Sequence, residues 1–238
     1  MLTVETLQPE NKVLTSILHT LAEEGLVTIE GEEDEEIGET TLHYKLIRYL
    51  VTALELFLGD KKDVFIAANL RLSYSEKQPL KWYAPDVLVA FGVENKERSS
   101  YQLSTEKVMP QVIFEVTSAQ TADKDLGEKC LMYARLGVEE YYLLDPERAV
   151  LFNPMLAFQH QNGKLSPAIL SNNKIFSPRL GLEIGDTGDA FRLYNPETKE
   201  FLFSTEEMAN QVLQEKSEIK ELKNRIAELE AVLHQNKG

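Results

Sequence analysis

The sequence predicts an α/β fold, a mixed sheet flanked by helices and followed by a C-terminal coiled-coil helix. Three observations predict it. Residues 110–146 contain an apolar strand, an amphipathic helix and a second apolar strand, which favours two parallel strands joined by a crossover. Short strands separated by turns follow over 149–203, a small antiparallel extension. After residue 204, apolar residues recur every seven positions.

The first half of the chain supplies two predicted helices and the outer strands. Residues 9–25 carry leucine and isoleucine at helical spacing, and residues 40–59 carry a continuous apolar stripe typical of an amphipathic helix. Residues 63–74 and 81–91 are rich in β-branched and aromatic side chains, which predicts strands. A polar connection over 92–107 joins them to the centre of the fold.

Acidic residues set the charge of the molecule. The net charge is −14, and residues 30–39 supply seven acids and no base. A solvated loop is the simplest interpretation of this segment, and a cation-collecting or regulatory role is the alternative. The negative net charge argues against a protein that coats duplex nucleic acid through a broad basic surface.

Cysteine use and hydropathy predict a cytoplasmic protein. Cys130 is the single cysteine and cannot form an internal disulfide, which favours a reducing compartment. The amino terminus lacks the pattern of a secretory signal, and no window has the length and apolar character of a membrane span.

Residues 111–146 form the predicted centre of the sheet. The strand 111–118 reads QVIFEVTS, so Glu115 lies among apolar neighbours. The helix 121–137 follows, with Thr121 as its candidate N-cap and Gly137 as its C-terminal glycine. An apolar strand over 138–146 completes the unit.

The last segment, 204–238, has the heptad pattern of a coiled coil. The seam of such a coiled coil is formed by heptad positions a and d. Here the a residues are Val212, Ile219, Ile226 and Leu233, and the d residues are Met208, Leu222 and Leu229. Glu215 is the one residue that breaks this seam. The charged residues beside the seam are complementary in a parallel pair, which favours a homodimer through this helix. The alternative is a lone helix folded back on its own domain.

Three ionisable residues occupy positions that suggest chemistry. Asp86 follows Pro85 at the start of the apolar run VLVAF, and Glu115 lies inside the neighbouring strand. Lys129 lies at the border of the inward face of the next helix. Two carboxylates at the ends of adjacent strands repel one another unless a cation lies between them. Oxygen ligands select a hard ion, so Mg²⁺ or Mn²⁺ is the expected partner.

Each of these residues also has a structural interpretation. Asp86 could accept turn hydrogen bonds at a strand start, and Glu115 could face solvent from an edge strand. Asp125 and Lys129 are spaced i, i+4, so a routine ion pair on a helix surface would explain both. The hypothesis of a joint site depends on Asp86, Glu115 and Lys129 lying together.

The order of the motifs APDVLV, VIFEVTS, DLGEK and YARLGVEEYYLLDP resembles the Uma-two family of restriction-endonuclease-like proteins. That family is a branch of the PD-(D/E)XK nuclease superfamily, and many of its members are known only as a domain of unknown function. The resemblance covers roughly residues 40–200 and is densest over 84–146. It implies a restriction-endonuclease-like fold and a nuclease site dependent on Mg²⁺ or Mn²⁺.

The resemblance assigns roles to particular residues. Asp86 and Glu115 match the two metal carboxylates, and Lys129 matches a catalytic lysine displaced into the helix. The superfamily usually has that lysine two residues after the glutamate, where this chain has Thr117. Further matching positions of a supporting kind are Asp125, Ser118, Tyr133 and, near the start of the preceding helix, His43. Glu39 and Glu55 are both candidates for an additional acidic residue.

Together these observations predict three segments and one activity. The segments are an N-terminal helix and acidic loop over 1–39, a restriction-endonuclease-like domain over 40–203 and a coiled-coil helix over 204–238. The expected activity is metal-dependent hydrolysis of phosphodiester bonds, with DNA in a local cleft as the substrate. A catalytically inactive, dimeric binding or scaffold protein is the main alternative, and hydrolysis of a small phosphoester is another.

Overall fold

The computed structural model describes residues 40–59, 61–74, 81–161 and 164–235, with side chains through residue 230. The predicted helix 9–25, the acidic loop and Glu39 lie outside the described residues. Tertiary contacts divide the chain into two compact units, with the division between Leu202 and Phe203. The predicted segment boundaries remain predictions. No helix in the described ranges is long and apolar enough to cross a membrane.

Helices and strands alternate through the first unit. The helical segments are α1 (Thr41–Leu58), α2 (Leu103–Glu106), α3 (Ala122–Lys124), a π-helical turn (Asp125–Lys129) and α4 (Cys130–Leu136). The strands up to the parallel pair are β1 (Val64–Ala68), β2 (Leu72–Ser73), β3 (Trp82–Tyr83), β4 (Val87–Phe91), β5 (Tyr101–Gln102), β6 (Val112–Val116) and β7 (Glu140–Leu144). The later strands are β8 (Met155–Gln161), β9 (Lys164–Pro167), β10 (Lys174–Ser177), β11 (Leu182–Asp186), β12 (Phe191–Asn195) and β13 (Glu200–Phe201).

The central sheet is mixed, as the sequence predicts. Its order is β1-β4-β6-β7-β8-β9, and β6 and β7 are its parallel pair within the described chain. The other neighbours in this sheet are antiparallel. Two smaller sheets have the orders β3-β2-β5 and β10-β11-β12-β13. The predicted strand–helix–strand unit and the antiparallel extension are therefore confirmed.

Apolar clusters cover both faces of the central sheet, and strand alternation decides which residues face each cluster. Val87 and Phe114 pack with α1, whereas Leu88 and Ile113 pack on the other face with Cys130 and Tyr133 of α4. Because side chains alternate along a strand, Asp86 and Glu115 fall on the same face as Leu88 and Ile113. That face is the one covered by α4.

Two predicted strands are each divided. The segment 63–74 is interrupted at Asn69, which has a positive φ of 51°. The segment 81–91 is interrupted around Pro85, which has no N–H to donate to a ladder. The connection 92–107 contains β5 and α2 and is not entirely irregular.

The helix predicted over 121–137 is present with a change of geometry in its middle. The π-helical turn separates α3 from α4, and Gly137 ends α4 with φ 87° and an N–H that donates to the carbonyls of Ala134 and Tyr133. Thr121 is the N-cap residue, as predicted, but its side chain makes no capping hydrogen bond. Its hydroxyl instead accepts a hydrogen bond from the N–H of Ser118 at 3.1 Å, outside the helix.

The second unit contains one long helix, α5 (Thr205–Gln235). Before it, the hydroxyl of Ser204 accepts from the N–H of Glu207 at 3.2 Å, and the Glu207 carboxylate accepts from the N–H of Ser204 at 2.7 Å. This reciprocal pair is a capping box that fixes where the helix begins.

Candidate nuclease site

Asp86 and Glu115 lie side by side on adjacent antiparallel strands. The register pairs Val87 with Phe114, so extending it by one residue sets Asp86 opposite Glu115. The Asp86 Oδ2 accepts from the N–H of Val116 at 2.6 Å, and the N–H of Asp86 donates to Glu115 Oε2 at 3.4 Å. Glu115 is only 1% exposed, so it does not face solvent from an edge strand. The predicted proximity of the two carboxylates is present.

Lys129 compensates the charge of Glu115. Its Nζ lies 3.0 Å from Glu115 Oε2 and 2.7 Å from Asp125 Oδ1, and its side chain is 13% exposed. The Asp125–Lys129 pair is therefore a buried part of this cluster and not a routine ion pair on the surface. A buried carboxylate without such a partner would cost several kcal/mol, on the order-of-magnitude scale for buried ions. The described structure thus supplies a protein cation where the sequence argument expected a metal.

Asp125 is held in turn by neutral donors. Thr117 Oγ1 donates to Asp125 Oδ2 at 3.1 Å, and the Tyr141 hydroxyl donates to the Asp125 backbone carbonyl at 2.9 Å. Thr117 therefore occupies the usual lysine position of the superfamily with a different function, since it orients the carboxylate that contacts Lys129. The carboxylate of Asp125 and the side chain of Thr117 are both buried.

Tyr133 fixes the second oxygen of Glu115. Its hydroxyl donates to Glu115 Oε1 at 2.8 Å, and the ring is fully buried. Two aromatic neighbours hold that ring, since Tyr83 meets it edge-on at 5.8 Å and Tyr141 lies 5.4 Å away. The hydroxyl of Tyr83 donates to Glu128, on the turn that carries Lys129. Aromatic packing and hydrogen bonds therefore restrict the position of the Glu115 carboxylate.

His43 reaches the same cluster from α1. Its Nε2 lies 3.6 Å from Asp86 Oδ1, and its backbone N–H donates to the Thr40 hydroxyl, the N-cap of the helix. Ser118 lies in the turn after β6, where its hydroxyl is 3.3 Å from that of Thr121. Glu55 is exposed and roughly 18 Å along the helix axis from His43, at about 1.5 Å per residue.

Burial dominates the protonation of the cluster. The pKa of Glu115 is raised to about 8, chiefly because burial desolvates the carboxylate. Lys129 opposes this rise, and the nearby Asp125 and Asp86 carboxylates add to it. The pKa of Lys129 is raised despite its burial, because Glu115 and Asp125 stabilise the ammonium. Burial and the Glu115 carboxylate also raise the pKa of the Tyr133 hydroxyl, so that group remains a donor.

Comparison with protein families identifies the chain. The family model described as "Uma2: Putative restriction endonuclease" matches residues 22–185, which is more than half of the sequence. The chain belongs to the Uma2 family. A crystal structure titled as a putative nuclease of DUF820 from Anabaena variabilis ATCC 29413 is similar at 13% identity, with a TM-score of 0.47. That similarity covers 64% of this chain and 80% of the other. The search of curated proteins gave no match.

Membership of the Uma2 family implies a possible divalent metal, and the carboxylate oxygens of the cluster fit Mg²⁺. Within the described residues, no group of three or more His, Cys, Asp and Glu side chains is arranged to hold a metal. Mg²⁺ differs from ions that need an all-protein cage, since it often binds one or two carboxylates and keeps several waters. The paired oxygens of Asp86 and Glu115 fit this pattern, and the Asp86 side chain is 14% exposed. A divalent ion there would compete with Lys129 for Glu115 Oε2.

The sequence did not indicate every residue of this Uma2 cluster. Thr117 was recognised only as a departure from the superfamily, although alternation places it on the same face as Glu115. Tyr141 and Tyr83 are further contributors that the sequence analysis does not identify. A tyrosine within an apolar strand carries no signal of where its hydroxyl will find a partner, so their contacts with Asp125 and Glu128 required the structure.

Proposed function

We propose that this protein hydrolyses phosphodiester bonds with the help of Mg²⁺ or Mn²⁺, and that its substrate is DNA. The observation that carries the proposal is the arrangement of Asp86, Glu115 and Lys129. The two carboxylates adjoin across β4 and β6, with the ammonium 3.0 Å from Glu115 Oε2. In this proposal Asp86 and Glu115 hold the ion. Family membership supports a nuclease in general, while the individual roles rest on this geometry.

A bound ion of this kind would lower the pKa of a water molecule that it coordinates and neutralise negative charge on the phosphate. Lys129 orients the attacking water or stabilises the developing negative charge at phosphorus. Asp125 and Thr117 position Lys129 through the 2.7 Å and 3.1 Å contacts. Tyr133 keeps the Glu115 carboxylate aimed toward Asp86 by donating to its other oxygen. His43 lies near enough to Asp86 Oδ1 to restrict that side chain.

The charge balance shapes the proposed encounter with DNA. With a net charge of −14, the chain lacks the broad positive field that most nucleic-acid binding depends on. Binding is therefore expected to be weak, strongly dependent on salt and limited to the region of the cluster. The single buried cysteine is consistent with the proposed cytoplasmic, reducing location.

A second candidate function is a nuclease-fold protein without catalysis, acting as a dimeric binding or scaffold protein. The contact of Lys129 with both Glu115 and Asp125 favours it, because these two carboxylates have a protein cation beside them without a metal. The two candidate functions assign different roles to the Asp86 carboxylate. A catalytic protein needs the Asp86 carboxylate for the ion, whereas a scaffold needs it only for the hydrogen bond to Val116.

Nicking of supercoiled plasmid tests the proposal. The wild-type protein is expected to nick DNA with Mg²⁺ or Mn²⁺ and to stop with excess chelator. Asp86→Asn keeps the side-chain volume and is expected to abolish nicking while melting cooperatively. Asp63→Asn is the matched control, since Asp63 also precedes a strand but is exposed. Nicking that persists in Asp86→Asn, or that survives chelator, would contradict the proposed function.

A further inference from the structure

The long helix α5 presents to solvent an apolar stripe that is interrupted at Glu215. Every side chain from Ala209 to Glu230 is exposed in the single chain. The heptad stripe consists of the a and d residues Val212, Ile219, Leu222, Ile226 and Leu229, which are between 46% and 63% exposed. A helix in a protein gains most of its stability by packing its apolar face against other residues. Within the described chain, no residues cover the heptad stripe of α5. A partner that covers the stripe would account for it.

We propose that α5 pairs with α5 of a second copy of this chain to form a parallel two-stranded coiled coil. The a residues Val212, Ile219 and Ile226 are β-branched, and the d residues Leu222 and Leu229 are leucines. β-Branched residues at a with leucine at d favour two strands over three or four. The occupant is thus a second copy, since its stripe has the same spacing and length.

Charges beside the stripe select the parallel orientation. In a parallel pair, each g residue faces the e residue five positions later on the other helix. Glu218 then faces Lys223 of the partner subunit, and Arg225 faces Glu230 of the partner subunit. Both pairs have opposite charges. An antiparallel pair with the same a and d layers would instead set Lys216 against Lys223 of the partner subunit.

Glu215 gives the dimer a built-in weakness. It occupies a d position, so the parallel pair brings two carboxylates into one core layer. In the single chain, Gln211 Nε2 donates to Glu215 Oε1 at 3.1 Å on the exposed surface. Like charges in one layer disfavour association, and the dimer is therefore expected to dissociate on dilution. Replacing this carboxylate by leucine should strengthen it.

Sedimentation equilibrium of the full chain tests the pairing. The wild-type protein is expected to show a monomer–dimer equilibrium, Leu222→Lys to raise the dissociation constant at least tenfold, and Glu215→Leu to lower it at least tenfold. Leu213→Lys is the matched control. Leu213 is 65% exposed, much as Leu222 is at 63%, but Leu213 lies outside the stripe. A monomeric wild-type protein that Glu215→Leu leaves monomeric would overturn the proposal, as would equal effects of both lysine variants.

Disulfide formation in the Leu229→Cys variant tests the orientation. Parallel helices bring both copies of position 229 into one layer, whereas the antiparallel arrangement separates them, so air oxidation should crosslink the dimer. Leu213→Cys at the outer surface is the control and should not crosslink. Cys130 does not interfere, because it is fully buried and burial raises the pKa of its thiol to about 12. A dimer that Leu229→Cys does not crosslink would overturn the parallel arrangement. Neither test depends on nuclease activity.

Discussion

Replacing Lys129 by methionine removes the ammonium that contacts both Glu115 and Asp125. With Coulomb's law and an effective dielectric constant of about 20, the 3.0 Å contact contributes roughly 5 kcal/mol and the 2.7 Å contact roughly 6. Removing the ammonium also removes its own desolvation cost, which is several kcal/mol. The expected net loss in the free energy of unfolding is about 3–5 kcal/mol, the range for breaking one side of a buried pair. For a chain of this size that corresponds to a decrease in Tm of roughly 10 °C.

Urea unfolding at pH 8.5 measures this loss. That pH lies above the pKa of about 8 for Glu115 in the wild-type protein, so the wild-type carboxylate is mostly ionised there. The variant must then either bury this charge without its partner or take up a proton, and both lower its stability relative to the wild-type protein. At pH 6 the loss is expected to be smaller, because Glu115 is already mostly protonated in the wild-type protein. Lys124→Met is the control, since Lys124 is exposed on the same helical segment. A loss under about 1 kcal/mol at pH 8.5, or one equal to that of the control, would refute the assignment of Lys129 as the compensating charge.

Two further changes test the same cluster. The folded-state pKa of Glu115, about 8, lies above its ordinary value of 4.5, so the folded protein binds more protons between these values and loses stability as pH rises through that window. Glu115→Gln should remove this pH dependence, which amounts to at most about 5 kcal/mol at 1.36 kcal/mol per pKa unit. If the free energy of unfolding changes equally with pH in both proteins from pH 5 to 8.5, the prediction is contradicted. Tyr133→Phe removes the donor to Glu115 Oε1 and should cost about 1–3 kcal/mol by thermal or urea unfolding, whereas an unchanged stability would indicate that this hydrogen bond contributes little.

Simple patterns predict the architecture and the principal residues of the cluster. Apolar strand patterns place Glu115 in a dry sheet interior, and Pro85 places Asp86 at a strand start. The antiparallel register between their strands, which the sequence does not specify, then brings their backbones and carboxylates together. The sequence also predicts the helix over 121–137, and its residues Leu126, Cys130 and Tyr133 are buried.

Other features depend on local backbone geometry that periodicity does not encode. The π-helical turn over Asp125–Lys129 widens the helix where Lys129 reaches Glu115, and helical spacing alone assumes a uniform turn. Asn69 divides a predicted strand through its left-handed φ, and Thr121 uses its hydroxyl before the helix and not as its cap. The sequence also does not specify which cation lies next to Glu115, because a metal ion and a lysine can each stabilise a buried carboxylate. In the structure Lys129 Nζ lies 3.0 Å from Glu115 Oε2.

Binding of Mn²⁺ measured by isothermal titration calorimetry tests the central claim most directly. The wild-type protein is expected to bind the ion at pH 8.5, and to gain in Tm as Mn²⁺ is added, since a ligand that binds only the folded state stabilises it. Asp86→Asn should lose both effects, while Asp63→Asn should keep them. Absence of binding by the wild-type protein at millimolar Mn²⁺, or equal binding by Asp86→Asn, would contradict a divalent-cation site at Asp86 and Glu115.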